Sequence, residues 1–470
     1  MVMFINNFVT KKPKDKLKKF IISFYVYMIL EGMLRKWFIP ILDKEIYFLK
    51  DFFLIFIYIY AFKHKFLFKK KTSKIITLFI VISLFFGVIG YNFNKIDILS
   101  FILGSRSYFL FVPLFFVIIH IFSIEDVKKF AVINLYFVLP YYILILFQSI
   151  SPSNSFINSG YNSLVQSPER PSGYFTYITQ NTYFFLFLLC SCYSYFLSKC
   201  SISKKDLFLS TILIFSLTGI MILLKSRAVY VYSIAIVIYS TYIVLIANQN
   251  IFLKLKKLLI AVVLFPIFFY INSHIFEKEY NFSMKRFNTD QYQSLGIVMK
   301  YKEEKIPSYL LTKLFLISET EKNSGVTVND FCNKNSSICR VINELYFISS
   351  LNSSSLFGEG LGAGTSVVAY IKKDQKFSLG EAENHRIIGE LGYLFGTVFV
   401  LLKYFFVIFI NLQLVFNRKI KNKLFLFPFL NFVTVAFLIG PITYTTSFIS
   451  FICWFVLGIV FLAFDKKNIS

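Results

Sequence analysis

The chain is poor in acid. Asp and Glu number 25 against 50 Lys and Arg in 470 residues, a formal net charge of +25. In a soluble chain that excess would point to nucleic acid. Here the lysines sit mostly in short hydrophilic gaps between apolar runs, so topology and anionic headgroups explain them and no nucleic-acid partner is expected. Cysteine and histidine are scarce too, at six and four. No pair of CxxC or HxxxH motifs occurs, which argues against a structural zinc site, and neither metal nor cofactor is expected. Cys190, Cys192, Cys200 and Cys453 fall in or beside apolar runs and read as inert. Cys332 and Cys339 share a long polar loop, where a disulfide and two free thiols are both open. Met1 to Lys19 is polar and lysine-rich, and the apolar run after it lacks a small-residue cleavage site, so no cleavable signal is expected. Nor is there an internal repeat of the kind that builds inverted halves in transporters.

What is present is hydrocarbon. Hydrophobic residues make up 56% and aromatics 20%, with 61 Phe, and the mean hydropathy is +0.65. Apolar runs of about 20 residues recur along the chain, each long enough to cross roughly 30 Å of hydrocarbon as a helix. The expected fold is all-α, a polytopic membrane protein of about twelve spans. Residues 1–272 carry spans one to nine with short loops, 273–384 form a large extracytoplasmic loop, and 385–470 carry spans ten to twelve. The first span reads as Phe20 to Pro40, the third as Ile75 to Tyr91, the fourth as Ile98 to Phe122, and the tenth as starting at His385. Basic gaps at Lys11–Lys19, Lys63–Lys74, Lys128-Lys129, Lys254–Lys257 and Arg418–Lys423 place both termini in the cytoplasm. Within the large loop, Tyr292–Ser318 and Ile338–Leu351 have apolar residues at i, i+3 and i+4, as in helices lying on a membrane or capping the bundle.

The stretch with most chemistry is Phe357 to Gly396. Glycines alternate at Gly358, Gly360, Gly362 and Gly364, a pattern that lets backbone N–H groups converge on an anion. Glu383-Asn384 reads as a helix entry with Asn384 as cap, placing His385 on the first turn at the water boundary. With Glu381, Glu383 or Glu390 beside it, His385 could take a hydroxyl proton. Five arginines lie in or beside apolar runs: Arg35, Arg106, Arg170, Arg227 and Arg386. A central arginine costs about 2.5–3.5 kcal/mol on insertion scales and generally faces a cavity or partner. Converging guanidiniums suit a lipid-linked phosphate or diphosphate, because the planar fork binds phosphate oxygens bidentately. Singly, each is also what interfacial snorkelling produces, and Arg35-Lys36-Trp37 is the plainest anchor.

Taken in order, EGMLRKW at the first exit, GSRSY at Gly104 to Tyr108, RPSGYFTYITQN at Arg170 to Asn181, KSR at Lys225 to Arg227, FGEGLGAG and ENHRIIGELGYLFG resemble the bacterial O-antigen polymerase and ligase superfamily. The resemblance implies a GT-C-like glycosyltransferase, a bundle of about twelve helices with a large extracytoplasmic loop, in the inner (plasma) membrane. Such proteins move a glycan from an undecaprenyl-diphosphate carrier to a hydroxyl acceptor without a metal or nucleotide sugar. Carried onto this chain, Arg170 and Arg227 become diphosphate holders and His385 the acceptor's partner. Arg35, Arg106, Arg386, Glu383, Asn384, Glu390, Gly360 and Gly362 line the substrate. The implied partners are an undecaprenyl-diphosphate-linked oligosaccharide, membrane lipids and a chain-length regulator protein. In the ligase branch the histidine is usually followed by Asn, Ser or Gln. Arg386 in that place favours the polymerase branch.

Overall fold

A computed structural model describes residues 13–67, 81, 84–85, 88, 98–152, 154–159, 170–247, 250–288, 356–364, 383–417, 422–438 and 447–464. The expected third span, both amphipathic segments of the large loop, Glu381, and Cys332 with Cys339 lie outside them. The described residues are helical, with no strand among them. Six helices there are long and apolar enough to cross a membrane: Ile98–Ile121, Ile124–Ile150, Lys204–Leu223, Arg227–Ile246, Glu383–Phe416 and Ser447–Phe464. The protein is membrane-embedded.

Helix α1 (Pro13–Met33) ends in a π turn, Leu34–Phe38, and α2 (Asp43–Lys63) returns beside it. The run from Ile98 breaks into α3 (Ile98–Phe109) and α4 (Val112–Ile121), with Pro113 in the first turn of α4. Next come α5 (Ile124–Ile150), α6 (Ile178–Ser198), α7 (Lys204–Leu223) and α8 (Arg227–Ile246). They are followed by α9 (Ile251–Leu258), α10 (Leu264–Ile275) and α11 (Glu277–Asn288), and then by α12 (Glu383–Phe416), α13 (Lys423–Leu438) and α14 (Ser447–Phe461).

Local chemistry fixes which ends lie together. Helices α5 and α7 both start on a capping box, Ser123 with Asp126 and Ser203 with Asp206, which satisfies two orphan backbone donors each. Lys18 on α1 pairs with Asp126 at 2.7 Å, and Lys199, just past α6, pairs with Asp206. The starts of α1, α5 and α7 and the end of α6 therefore share one end of the bundle. The end of α1, the starts of α2, α6 and α8, and the start of α14 share the other, where the motifs lie.

The core is phenylalanine on phenylalanine. Helix α6 is buried on nearly every side, and Phe184 and Phe187 meet rings from α5, α13 and α14 edge-on or tilted. A helix enclosed this way faces no lipid, so it can carry polar groups provided each is bonded. Asn134 accepts from the Tyr25 hydroxyl at 2.6 Å and donates to Ser191 at 2.9 Å. The polar residues α6 itself carries, Gln180, Asn181, Thr182, Ser191 and Ser194, explain why it is not among the six apolar helices.

One expectation is corrected. The stretch from His385 is not one continuous span, because Gly392 (φ 86°, ψ 165°) breaks α12. Residues 383–391 fold back on 393–416, and a Cβ on Gly396 would stand 2.6 Å from the Ile388 Cα. The Asn384 amide donates to the Tyr404 hydroxyl at 2.7 Å and to the Leu438 carbonyl, and accepts from Lys403. Asn384 is thus a buried clasp within the helix, where the sequence suggested a cap.

Candidate functional site

The short motifs that lie far apart in sequence meet at one end of the bundle, in pairs. The first pair is the α1 exit and the loop 170–177. Gly32 passes so close to that loop that a Cβ would fall 2.2 Å from the Tyr174 carbonyl oxygen. Lys36 Nζ donates to Ser172 Oγ at 2.9 Å and to the Gly173 carbonyl at 2.7 Å. The loop is held from behind by Gln148, which accepts from Gly173 N–H at 2.7 Å, and by Asn181, which donates to the Pro171 carbonyl at 2.9 Å. Arg170 opens this loop, half-buried.

The second meeting joins α3, the glycine run and the folded-back start of α12. Gly104 and Gly362 touch, since a Cβ on Gly104 would lie 2.3 Å from the Gly362 nitrogen. The expected anion nest is spent on the chain itself. Glu359 N–H donates to the Gly389 carbonyl at 2.8 Å and Gly360 N–H to the Glu390 carbonyl at 3.0 Å. Gly364 N–H donates to the Glu390 carboxylate at 2.9 Å. The first two donors close the last carbonyls of a helix that stops at Gly392, which a free helix end would leave unsatisfied. Gly358, Gly360 and Gly362 all have positive φ (73°, 95° and 96°), so the alternation of glycines buys backbone geometry for a helix cap. Gly360 and Gly362 are placed by this cap and by contact with Ser100 and Gly104.

Three of the five predicted arginines face carboxylates of this chain. Arg35 donates to Glu31 at 2.9 Å and Asp43 at 2.6 Å. Glu31 also takes the Lys50 ammonium at 3.0 Å. Arg106 forks onto Asp51 at 2.6 and 2.9 Å and reaches Tyr47 and Ser447. The Tyr47 ring lies under Arg35, Lys50 and Arg106, at 3.7–5.0 Å from each. Arg386 donates to Glu390 at 3.1 Å, with its guanidinium 5.2 Å above the Tyr108 ring. Buried charge persists only when paired and bonded in this way. Arg35, Arg106 and Arg386 therefore brace the end of the bundle, and the phosphate-holding role expected of them has a competitor already in place.

Arg170, Arg227 and His385 are half-buried at the same end. Arg227 opens α8 two residues after Lys225, whose φ of 51° turns the chain from α7. His385 sits on the first turn of α12, two residues from Glu383, which is 4% exposed. No family model, curated protein or solved structure matches this chain.

Sequence reasoning missed Lys50, Asp51 and Tyr47 on α2, Tyr108 on α3, and Lys403. A signal was available for α2, where Lys50-Asp51 interrupts an apolar run and so demanded partners. Lys403 gave the same signal inside the apolar run after Gly392, whereas Tyr108 gave none, because its partner Arg386 lies across the fold. Lys36 was read as an anchor. It is 7% exposed and bonded to the 170–177 loop. Burial raises the Tyr174 phenol to about 12. Among the described residues no group of three or more His, Cys, Asp or Glu could hold a metal.

Proposed function

We propose that the protein is a polysaccharide polymerase, extending a glycan carried on undecaprenyl diphosphate at the outer face of the inner membrane. The observation that carries the reading is the convergence of the sequence-distant motifs at one end of the bundle, with Lys36 on the 170–177 loop and Gly104 on Gly362. In this reading that end is extracytoplasmic, the termini are cytoplasmic, and the whole is a GT-C-like bundle of about twelve spans by length and basic bias. The acceptor hydroxyl of a lipid-linked repeat unit attacks the anomeric carbon of the growing chain. The bond to the diphosphate oxygen breaks with inversion, and the hydroxyl proton passes to His385. Arg170 and Arg227 stabilise the departing diphosphate, whose charge grows in the transition state. Arg35, Arg106 and Arg386 hold the frame around them, a division of labour supported by their carboxylate partners.

Cells making Arg170→Ala or His385→Ala protein at normal level are expected to display single-repeat glycans. Unchanged long chains would refute the proposal. Extension of a purified lipid-diphosphate oligosaccharide by the purified protein alone separates a polymerase from a ligase, which needs lipid A-core. It also separates it from a flippase or a scaffold, which would extend nothing.

A further inference from the structure

Among the described residues the chain takes positive φ at five glycines, Gly173, Gly358, Gly360, Gly362 and Gly392, and at three other residues, Lys65, Lys225 and Asn422. Lys65 and Asn422 are exposed. Lys225, with φ 51°, is 9% exposed. A side chain in this region crowds its own backbone, which is why glycine is the usual residue just past a helix end. Lys225 occupies that place after α7, where its N–H donates to the Ile222 carbonyl at 3.1 Å. The turn would form more easily with glycine. Burial adds a second cost, because the ammonium gives up water there. Lys65 makes the same kind of turn after α2 and carries only the first cost, since it is exposed. Strain and burial together at one residue point to a side chain kept for what its ammonium meets.

The ammonium is placed by α11, which packs across α7, α8 and α10. Tyr280 of α11 meets Phe269 of α10 edge-on at 5.9 Å, and Phe282, two residues on, has its ring 5.5 Å from Lys225 Nζ. A ring at that distance steadies a cation without removing its charge. Arg227 lies two residues along the same short connection between α7 and α8, so its Cα stands within about 7 Å of that of Lys225. Ser226 between them is 6% exposed. We infer that Lys225 is a further substrate-binding residue: with Arg227 it forms one two-cation seat for a phosphate-type anion, and Phe282 is the wall behind the ammonium. The two cations act differently on such an anion, the ammonium as a compact point charge and the guanidinium as a planar fork. The identity of the anion as a departing diphosphate rests on the polymerase reading. The seat itself rests on the strained, buried lysine and its neighbouring arginine.

The test melts full-length protein in detergent with and without inorganic diphosphate. Without the anion, Lys225→Gly should melt no lower than the parent, because glycine relieves the turn. Its affinity for diphosphate, read from the rise in melting temperature, should fall about tenfold, and Lys225→Arg should restore most of it. Lys65→Gly removes a lysine from the same kind of turn elsewhere and should bind as the parent does. A Lys225→Gly protein that melts well below the parent overturns the inference, since the lysine would then be kept for its packing on Phe282. Undiminished diphosphate binding by Lys225→Gly overturns it too, as does an equal loss in Lys65→Gly or no rise with the parent. Weakened binding in Lys225→Gly with normal polymer in the Arg170→Ala and His385→Ala strains leaves the seat standing and sinks the polymerase reading. Polymer lost in those strains with undiminished Lys225→Gly binding does the reverse.

Discussion

Replacing Glu390 with alanine should unlatch the glycine run from α12. The Glu390 carboxylate is fully buried. One oxygen accepts from Gly364 N–H at 2.9 Å and the other from Arg386 at 3.1 Å. Removing it takes one carboxylate from a guanidinium that is itself 6% exposed and leaves the Gly364 N–H without that acceptor. Stripping one partner from a buried pair costs about 3–5 kcal/mol, and the orphaned N–H about 1–3 kcal/mol, partly the same loss counted twice. The backbone bonds from Glu359 and Gly360 survive, so the opening is local. A loss of about 3–5 kcal/mol corresponds to amide exchange faster on the order of 10²–10⁴-fold. Hydrogen-exchange mass spectrometry on peptides covering 356–364 and 383–392 reads this directly. The double variant Glu390→Leu with Arg386→Met removes both charges and should exchange within about tenfold of the parent, because an apolar pair can replace a buried ion pair at little cost. If Arg386 only braces, the double variant also keeps its polymer. Parent-like exchange in Glu390→Ala, or a double variant as open as the single, would refute the account of this latch.

Two further outcomes follow from the same geometry. Gly104→Ala puts a Cβ within 2.3–2.6 Å of the 361–362 backbone and should cost about 1–3 kcal/mol as overpacking. Gly458→Ala meets only the Ile118 side chain, at 2.8 Å, and should melt closer to the parent in detergent; equal melting of the two would count against the contact. Arg106→Lys keeps the charge but loses the fork to Asp51 and the reach to Ser447. A loss of about 1–3 kcal/mol in thermal unfolding is expected, and no loss would mean that the fork is not formed.

Helix boundaries were legible wherever the signal was local. The start of α7 needed only Ser203 and Asp206 three residues on, and the end of α5 at Ile150 and the start of α8 at Arg227 follow from apolar run length. The break at Gly392 was not legible, because a glycine in an apolar run is tolerated within helices. Only the carbonyls waiting for Glu359 and Gly360 show why the helix stops there. The candidate site divides the same way. That glycines, arginines and His385 cluster about an apolar boundary is written in the order of residues. That Arg106 belongs to Asp51, while Lys36 has neutral partners, is not, since those pairings join residues more than a turn apart.

The sequence by itself determined that this chain is helical and lives in a membrane, because twenty apolar residues in a row have no other way to satisfy their backbone in hydrocarbon. Tertiary structure alone decided which cations are neutralised and what the alternating glycines hold. The physical reason is that hydropathy is a property of runs, whereas burial and pairing of a charge depend on neighbours that only packing brings within reach.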